Sequence, residues 1–146
     1  MAKSQLLNFT QNLKMGSTTI QPGDTTTSKV VYTAGANDTI VKCLQAVSDD
    51  TATQYIKLFV NIGGSAGSDT YLGNMVIPAA SGTTSSGTTP TAAVDLLSSV
   101  VFVGLPYDAT GKRVLPLPAG SILKVATTTT ITTGKTITVT AIAEDY

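Results

Sequence analysis

Histidine and tryptophan are absent from this 146-residue chain, cysteine occurs once, and glutamate once, at Glu144. Without imidazole, the side chain whose ordinary pKa suits proton transfer near neutral pH, no Ser-His-Asp or Cys-His centre can be built within the chain. The expectation is a protein that is not an enzyme. Charge is scarce as well: nine Lys plus Arg balance nine Asp plus Glu, and charged residues make up 12% of the sequence. Phosphate backbones are met by clustered Lys and Arg, so no nucleic-acid partner is expected. No run of about 18 apolar residues exists to cross a bilayer as a helix, and Met1 to Gly16 lacks the continuous apolar region of a signal peptide. No membrane partner and no classical secretion are expected. A lone Cys43 cannot form an intrachain disulfide. On a strand it shares a face with Val41, which predicts a small buried thiol, while Lys42 points the other way.

What is abundant is threonine, roughly a sixth of the residues, with frequent Val and Ile. That bias suits pleated strands and starves helices. Strands are predicted over Thr25 to Thr33, Thr39 to Val47, Tyr55 to Ile62, Tyr71 to Ile77, Val100 to Val103, Ile122 to Thr132 and Lys135 to Ala143. The first two are read as hairpin neighbours, and the last two as a hairpin around Thr132-Thr133-Gly134. The clearest alternation sets Ile56, Leu58, Val60 and Ile62 on one face, toward the core, and Tyr55, Lys57 and Phe59 on the other. Tyr55 and Phe59 are therefore assigned to a subunit contact. Leu115 to Gly120 contains two prolines that each remove a ladder donor, which places it on a sheet edge or between sheets. Ala79 to Thr91 offers almost no apolar surface and reads as a surface loop. Ala92 to Ser99 reads as one short helical turn capped by Thr91. About eight strands without internal repeats favour an all-β fold, a β-sandwich or jelly-roll-like barrel over residues 25–146.

Residues 1–24 differ in texture. Leu6, Phe9 and Leu13 fall at helix-like spacing in a short stretch rich in Asn and Gln, too short for a stable isolated helix. Two readings stand side by side: an N-terminal arm whose Leu6, Leu7, Phe9 and Leu13 bind a partner, or an ordinary first strand or turn of helix packed on its own domain.

Reactive motifs fail on inspection. Gly134-Lys135-Thr136 copies the end of a phosphate-binding loop, but Thr129 stands where that loop needs Gly, and the flanks are strands. Asp108-Ala109-Thr110-Gly111 is a type I turn and not half of an aspartic dyad. Asp49-Asp50, even joined by Asp69, supplies too few carboxylates for Ca²⁺, and the pair is expected in a water-exposed turn. Lys112-Arg113 reads as a solvated loop. No catalytic residue, no cofactor and no metal site is expected.

Val94-Asp95-Leu96-Leu97, Leu105-Pro106-Tyr107-Asp108-Ala109-Thr110-Gly111, Leu115-Pro116-Leu117-Pro118-Ala119-Gly120-Ser121-Ile122-Leu123-Lys124-Val125 and the ending Ala143-Glu144-Asp145-Tyr146 together resemble small β-rich structural proteins of tailed-bacteriophage virions, of the capsid decoration (cement) type. The resemblance implies a role and no particular functional residue. It implies a homotrimer, made in the host cytoplasm, bound to the major capsid protein on the capsid exterior of the virion. A receptor- or carbohydrate-binding virion module and a neck or tail component are the alternatives.

Overall fold

The computed structural model describes residues 12–64, 67–83 and 91–146, which form two packed antiparallel sheets, a β-sandwich. Nine strands run in the order β1 (Asn12–Ile20), β2 (Lys29–Thr33), β3 (Thr39–Ser48), β4 (Gln54–Asn61), β5 (Asp69–Ile77), β6 (Val94–Asp95), β7 (Leu115–Leu117), β8 (Ile122–Thr127) and β9 (Ile137–Asp145). One sheet has the order β1-β9-β3, with β6 and β7 sharing the far edge of β3; the other has the order β2-β8-β4-β5. The core between them is aliphatic: Leu44, Ile56, Leu58, Leu123, Val125, Ile137 and Val139 are fully excluded from water. Alternation puts them there, since Ile137, Val139, Ala141 and Ala143 of β9 are buried while the threonines between them are not.

The chain changes sheet at most of its connections, and this overturns two expected pairings. Neither β2–β3 nor β8–β9 is a hairpin: β2 pairs with β8, and β3 pairs with β9, across the sandwich in sequence. Only β4 and β5, joined by the Gly63-Gly64 turn, are consecutive in both chain and sheet. The Thr132-Thr133-Gly134 turn is present, with the Lys135 amide donating to the Thr132 carbonyl at 2.9 Å, but it carries the chain from one sheet to the other.

Residues 12–24 belong to the sandwich and not to an arm. β1 pairs with β9 along its whole length, from Asn12 opposite Asp145 to Ile20 opposite Ile137. Gly16 faces inward opposite Ala141, and the Val31 carbonyl packs so closely against it that a Cβ would not fit. A three-residue 3-10 turn, Pro22–Asp24, then leads to β2. Of the expected anchors, Leu13 lies in β1, 66% exposed, whereas Leu6, Leu7 and Phe9 fall outside the described residues.

No helical turn forms at Ala92 to Ser99. Val94 and Asp95 pair instead with Ala46 and Gln45, and the Asp95 carboxylate accepts the Leu97 amide at 3.1 Å, an Asx turn that competes with a helix. Val100 to Val103 is not a buried strand either. It is a turn from which Phe102 alone points inward, while Val100 and Val103 are almost fully exposed. Ile62 also escapes the core expected for it, because β4 ends at Asn61. β7 lies at the edge of β3, where Pro116 needs no ladder donor. The ends of the expected Ala79 to Thr91 loop are joined by a Ser81–Thr91 bridge; residues 84–90 are outside the described set.

Candidate interaction surfaces

Directly opposed residues in a sheet share a face, so register maps the outer surface row by row. On the β1-β9-β3-β7 sheet one row reads Leu13, Glu144, Ile40, Pro116, and the next reads Met15, Ile142, Cys43. Leu13 and Met15 are about two-thirds exposed, so this end of the face is apolar and open. Two rows further along the strands the character changes. Ser17 and Thr140 hydroxyls lie 3.2 Å apart, as do those of Thr19 and Thr138, forming a polar ladder.

At the apolar end the face dips into a groove of about 490 Å³ lined by Asp38, Ile40, Pro116, Pro118 and Tyr146, over the backbone of Thr39 and Leu117. Its walls are set by the chain ends. The Tyr146 amide donates to the Asp38 carbonyl at 3.0 Å, and beneath it Asp145 accepts the Tyr32 hydroxyl at 3.0 Å and the Thr39 hydroxyl at 2.6 Å. Burial, with the adjoining Asp145 carboxylate, pushes the Tyr32 hydroxyl pKa up. Lys42 and Glu144 are 3.4 Å apart on the same face, a part-exposed pair worth little energetically.

Cys43 sits on this face and not in the core. A bulge between Val41 and Cys43 shifts the alternation by one residue, so that Val41 and Leu44 point inward and the thiol is left half-buried. Desolvation by burial raises its pKa, assisted by the negative charge of Asp95.

The opposite sheet carries Tyr55 and Phe59 on its outer face, as alternation predicts. Tyr55 is opposite Val76 and Phe59 opposite Tyr71, whose ring centroid is 5.7 Å away at a tilt of 51°. Between them Lys57 faces Asn74 and Ala126, and Lys124 bonds Asp69 at 2.8 Å.

The remaining polar groups are structural. Asp50 is fully buried, correcting its assignment to a water-exposed turn. Its carboxylate accepts the Ala52 amide at 3.0 Å, the Gln54 Nε2 at 2.8 Å, and both the amide (3.0 Å) and hydroxyl (2.6 Å) of Thr132. Burial alone would raise its pKa, but these hydrogen bonds outweigh that and hold it below the ordinary carboxylate value. Asp49 accepts the Thr136 amide, and Asp69 is engaged elsewhere with Lys124 and Asn61, so the three acids do not converge. Asp108 accepts the amides of Thr110 and Lys112, as a turn acceptor does, and Gly111 closes that turn at φ +80°. Arg113 is more than a solvated side chain: it donates to the Ser99 carbonyl at 2.8 Å and lies 5.8 Å over the Tyr107 ring. Among the described residues no group of three or more His, Cys, Asp or Glu could hold a metal ion, and no helix is long and apolar enough to cross a membrane.

The residues that sequence reasoning missed are Met15, Ile40, Pro116 and Tyr146. Their signal was weak: each is one member of an alternating strand or a chain end, and only register brings them together. Comparison with protein-family models, with curated proteins and with solved structures finds no match.

Proposed function

We propose that this chain is a phage capsid decoration protein, a trimer that binds the outside of the head shell and bridges neighbouring major capsid subunits. The observation that carries the reading is the outer row Leu13, Ile40, Pro116, interrupted by Glu144, with Met15 and Ile142 beside it, at the end of the sheet where β1 begins. Leu6, Leu7 and Phe9 are further apolar residues that precede β1 in the sequence. A unit that touches several shell subunits at once holds firmly through effective concentration, even where each contact is weak. Binding the closed lattice and not dissociated subunits stabilises the lattice by mass action. The resemblance of the C-terminal third to virion decoration proteins supports the same role.

The test is sedimentation of head particles stripped of the protein after adding it back. A Leu6→Ser, Leu7→Ser, Phe9→Ser triple variant should keep the wild-type β circular-dichroism spectrum and lose at least about tenfold in bound copies, since each removed side chain forfeits about 1.5–3 kcal/mol of burial. Substitution is preferable to deletion through Gly16, which would strip half of β1 from β9. Undiminished binding rejects the arm as anchor. The Phe59–Tyr71 pair favours a second reading, a carbohydrate-binding virion module. Glycan binding by the isolated protein, with no affinity for heads, would select it.

A further inference from the structure

A lysine, an aspartate and an asparagine meet at one end of the β2-β8-β4-β5 sheet. Asn61, the last residue of β4, is opposite Asp69 on β5 and Ile122 on β8, and Lys124 follows two residues along β8 on the same outer face. One carboxylate oxygen joins them: Asp69 Oδ1 accepts Lys124 Nζ at 2.8 Å and Asn61 Nδ2 at 3.1 Å. Because β4 lies between β8 and β5, the ion pair spans the strand that carries Asn61. The amine nitrogen therefore stands within two hydrogen-bond lengths of the amide nitrogen.

Asn61 itself is sealed. It is 2% exposed, and its Nδ2 donates also to the Gly67 carbonyl at 2.7 Å, so two acceptors fix which way the amide points. Its Oδ1 is then buried with no hydrogen-bond partner among the described residues, and Gly67 packs so closely on it that a Cβ there would collide. Native proteins rarely leave a buried carbonyl in this state. Here it belongs to an amide held by its nitrogen alone, against a charged pair.

We propose that Lys124 and Asn61 condense to an intramolecular isopeptide bond, with Asp69 as the proton carrier. The Lys124 ammonium passes a proton to Asp69, and the freed Nζ lone pair attacks Asn61 Cγ. The Cγ–Nδ2 bond breaks as the Asp69 carboxylic acid protonates the departing nitrogen across the hydrogen bond already present. Asp69 then takes the second proton from Nζ and yields it to the released ammonia. The products are one secondary amide and one ammonium ion, with Asp69 ionised again and no further reactant consumed. A shared acceptor supplies proximity, and burial of Asn61 keeps competing water from Cγ. The Lys124 and Asn61 donors hold Asp69 below the ordinary carboxylate value, so the first proton transfer runs uphill and the bond forms slowly. A bond made once per chain tolerates a slow step.

Mass spectrometry of the intact full-length protein tests this. The wild type should be lighter than its sequence mass by one ammonia, and a tryptic digest should yield a branched peptide joining the segments that contain Asn61 and Lys124, uncleaved after Lys124. A succinimide at another asparagine also loses ammonia, so the branched peptide decides. Lys124→Arg keeps a cation beside Asp69 but has no primary amine, and should show its full mass and no branched peptide. It should also melt about 10 °C below the linked wild type, because a cross-link between residues 61 and 124 removes loop entropy from the unfolded chain. Asp69→Ala should leave fewer than about one chain in ten linked over the time in which the wild type goes to completion. A wild type of full mass after prolonged incubation at neutral pH, ammonia loss without the branched peptide, or equal linkage in Asp69→Ala overturns the proposal.

Discussion

Removing the Asp50 carboxylate tests whether a buried acid holds the two sheets in register. In Asp50→Ala the amide of Thr132 loses its acceptor, as do the Ala52 amide and the Thr132 hydroxyl, while Gln54 keeps a weaker acceptor in the Thr130 carbonyl at 3.4 Å. The hydroxyl can rotate, so the two stranded amides, those of Thr132 and Ala52, dominate the cost. Each stranded buried donor costs about 1–3 kcal/mol, more when its partner was charged, which gives about 4 kcal/mol in total. Against a native stability of about 5–15 kcal/mol this is a large fraction. In urea, with a slope of about 2 kcal/mol per molar, the unfolding midpoint should fall by about 2 M with the slope unchanged. The pH dependence carries the same signature. The Asp50 pKa is lower in the folded protein, so its contribution is complete above the unfolded value, about pH 4, and is lost as pH falls through the folded one. The gap between wild type and variant should therefore be widest at pH 6 and narrow toward pH 3. A midpoint shift below about 0.5 M at pH 6, or a gap that widens in acid, refutes the reasoning.

Four further outcomes follow from packing and burial. Gly16→Val places side-chain atoms against the Val31 carbonyl and the Tyr32 ring, and should cost about 1–3 kcal/mol, read as a melting temperature several degrees lower. Leu44→Ala, at a site with no exposure, should cost about 2–5 kcal/mol in urea unfolding, whereas Val100→Ser on the exposed turn should stay within about 0.5 kcal/mol. A large effect at Val100 would mean that the turn packs where the structure leaves it open. Cys43, half-buried with its pKa raised, should react with a disulfide reagent at pH 7.5 at least about tenfold more slowly than free cysteine. A rate equal to the free thiol would place it in solvent.

Local alternation was legible wherever one face is dry and the other wet. In β4 the set Ile56, Leu58, Val60 and the set Tyr55, Lys57, Phe59 separate as the sequence orders them, and β9 behaves in the same way. Strand pairing was not legible, because a sandwich joins strands across its two sheets and adjacency in sequence says little about adjacency in a sheet. The bulge at Lys42-Cys43 was hidden for a related reason: apolar residues lie on both sides of it, so nothing marks the change of phase. Asp50 looked like an ordinary turn acid because its decisive donors come from Thr132, 82 positions away. Val100 to Val103 misled through composition alone, since β-branched residues are read as strand whether or not a partner strand lies beside them.

The topology also explains why exposed apolar side chains of this sheet gather at one end of it. Pairing the first described strand with the last brings Asn12 beside Asp145, so the entry to β1 and the end of the chain must share one edge of the sheet. β3 and β7 extend that edge, and the Tyr146 amide fixes the final residue to Asp38. The entry to β1 thereby lies beside the exposed Leu13 and Met15, while the hydroxyl ladder two rows away presents polar groups over the rest of the surface. Had β1 paired in the other sheet, beside β2, Leu13 and Met15 would stand apart from Ile40, Pro116 and Tyr146. The cross-sandwich connectivity, costly for folding speed because its pairings are non-local, is what places the start of β1, the end of β9 and the groove beside Tyr146 at one end of the sheet.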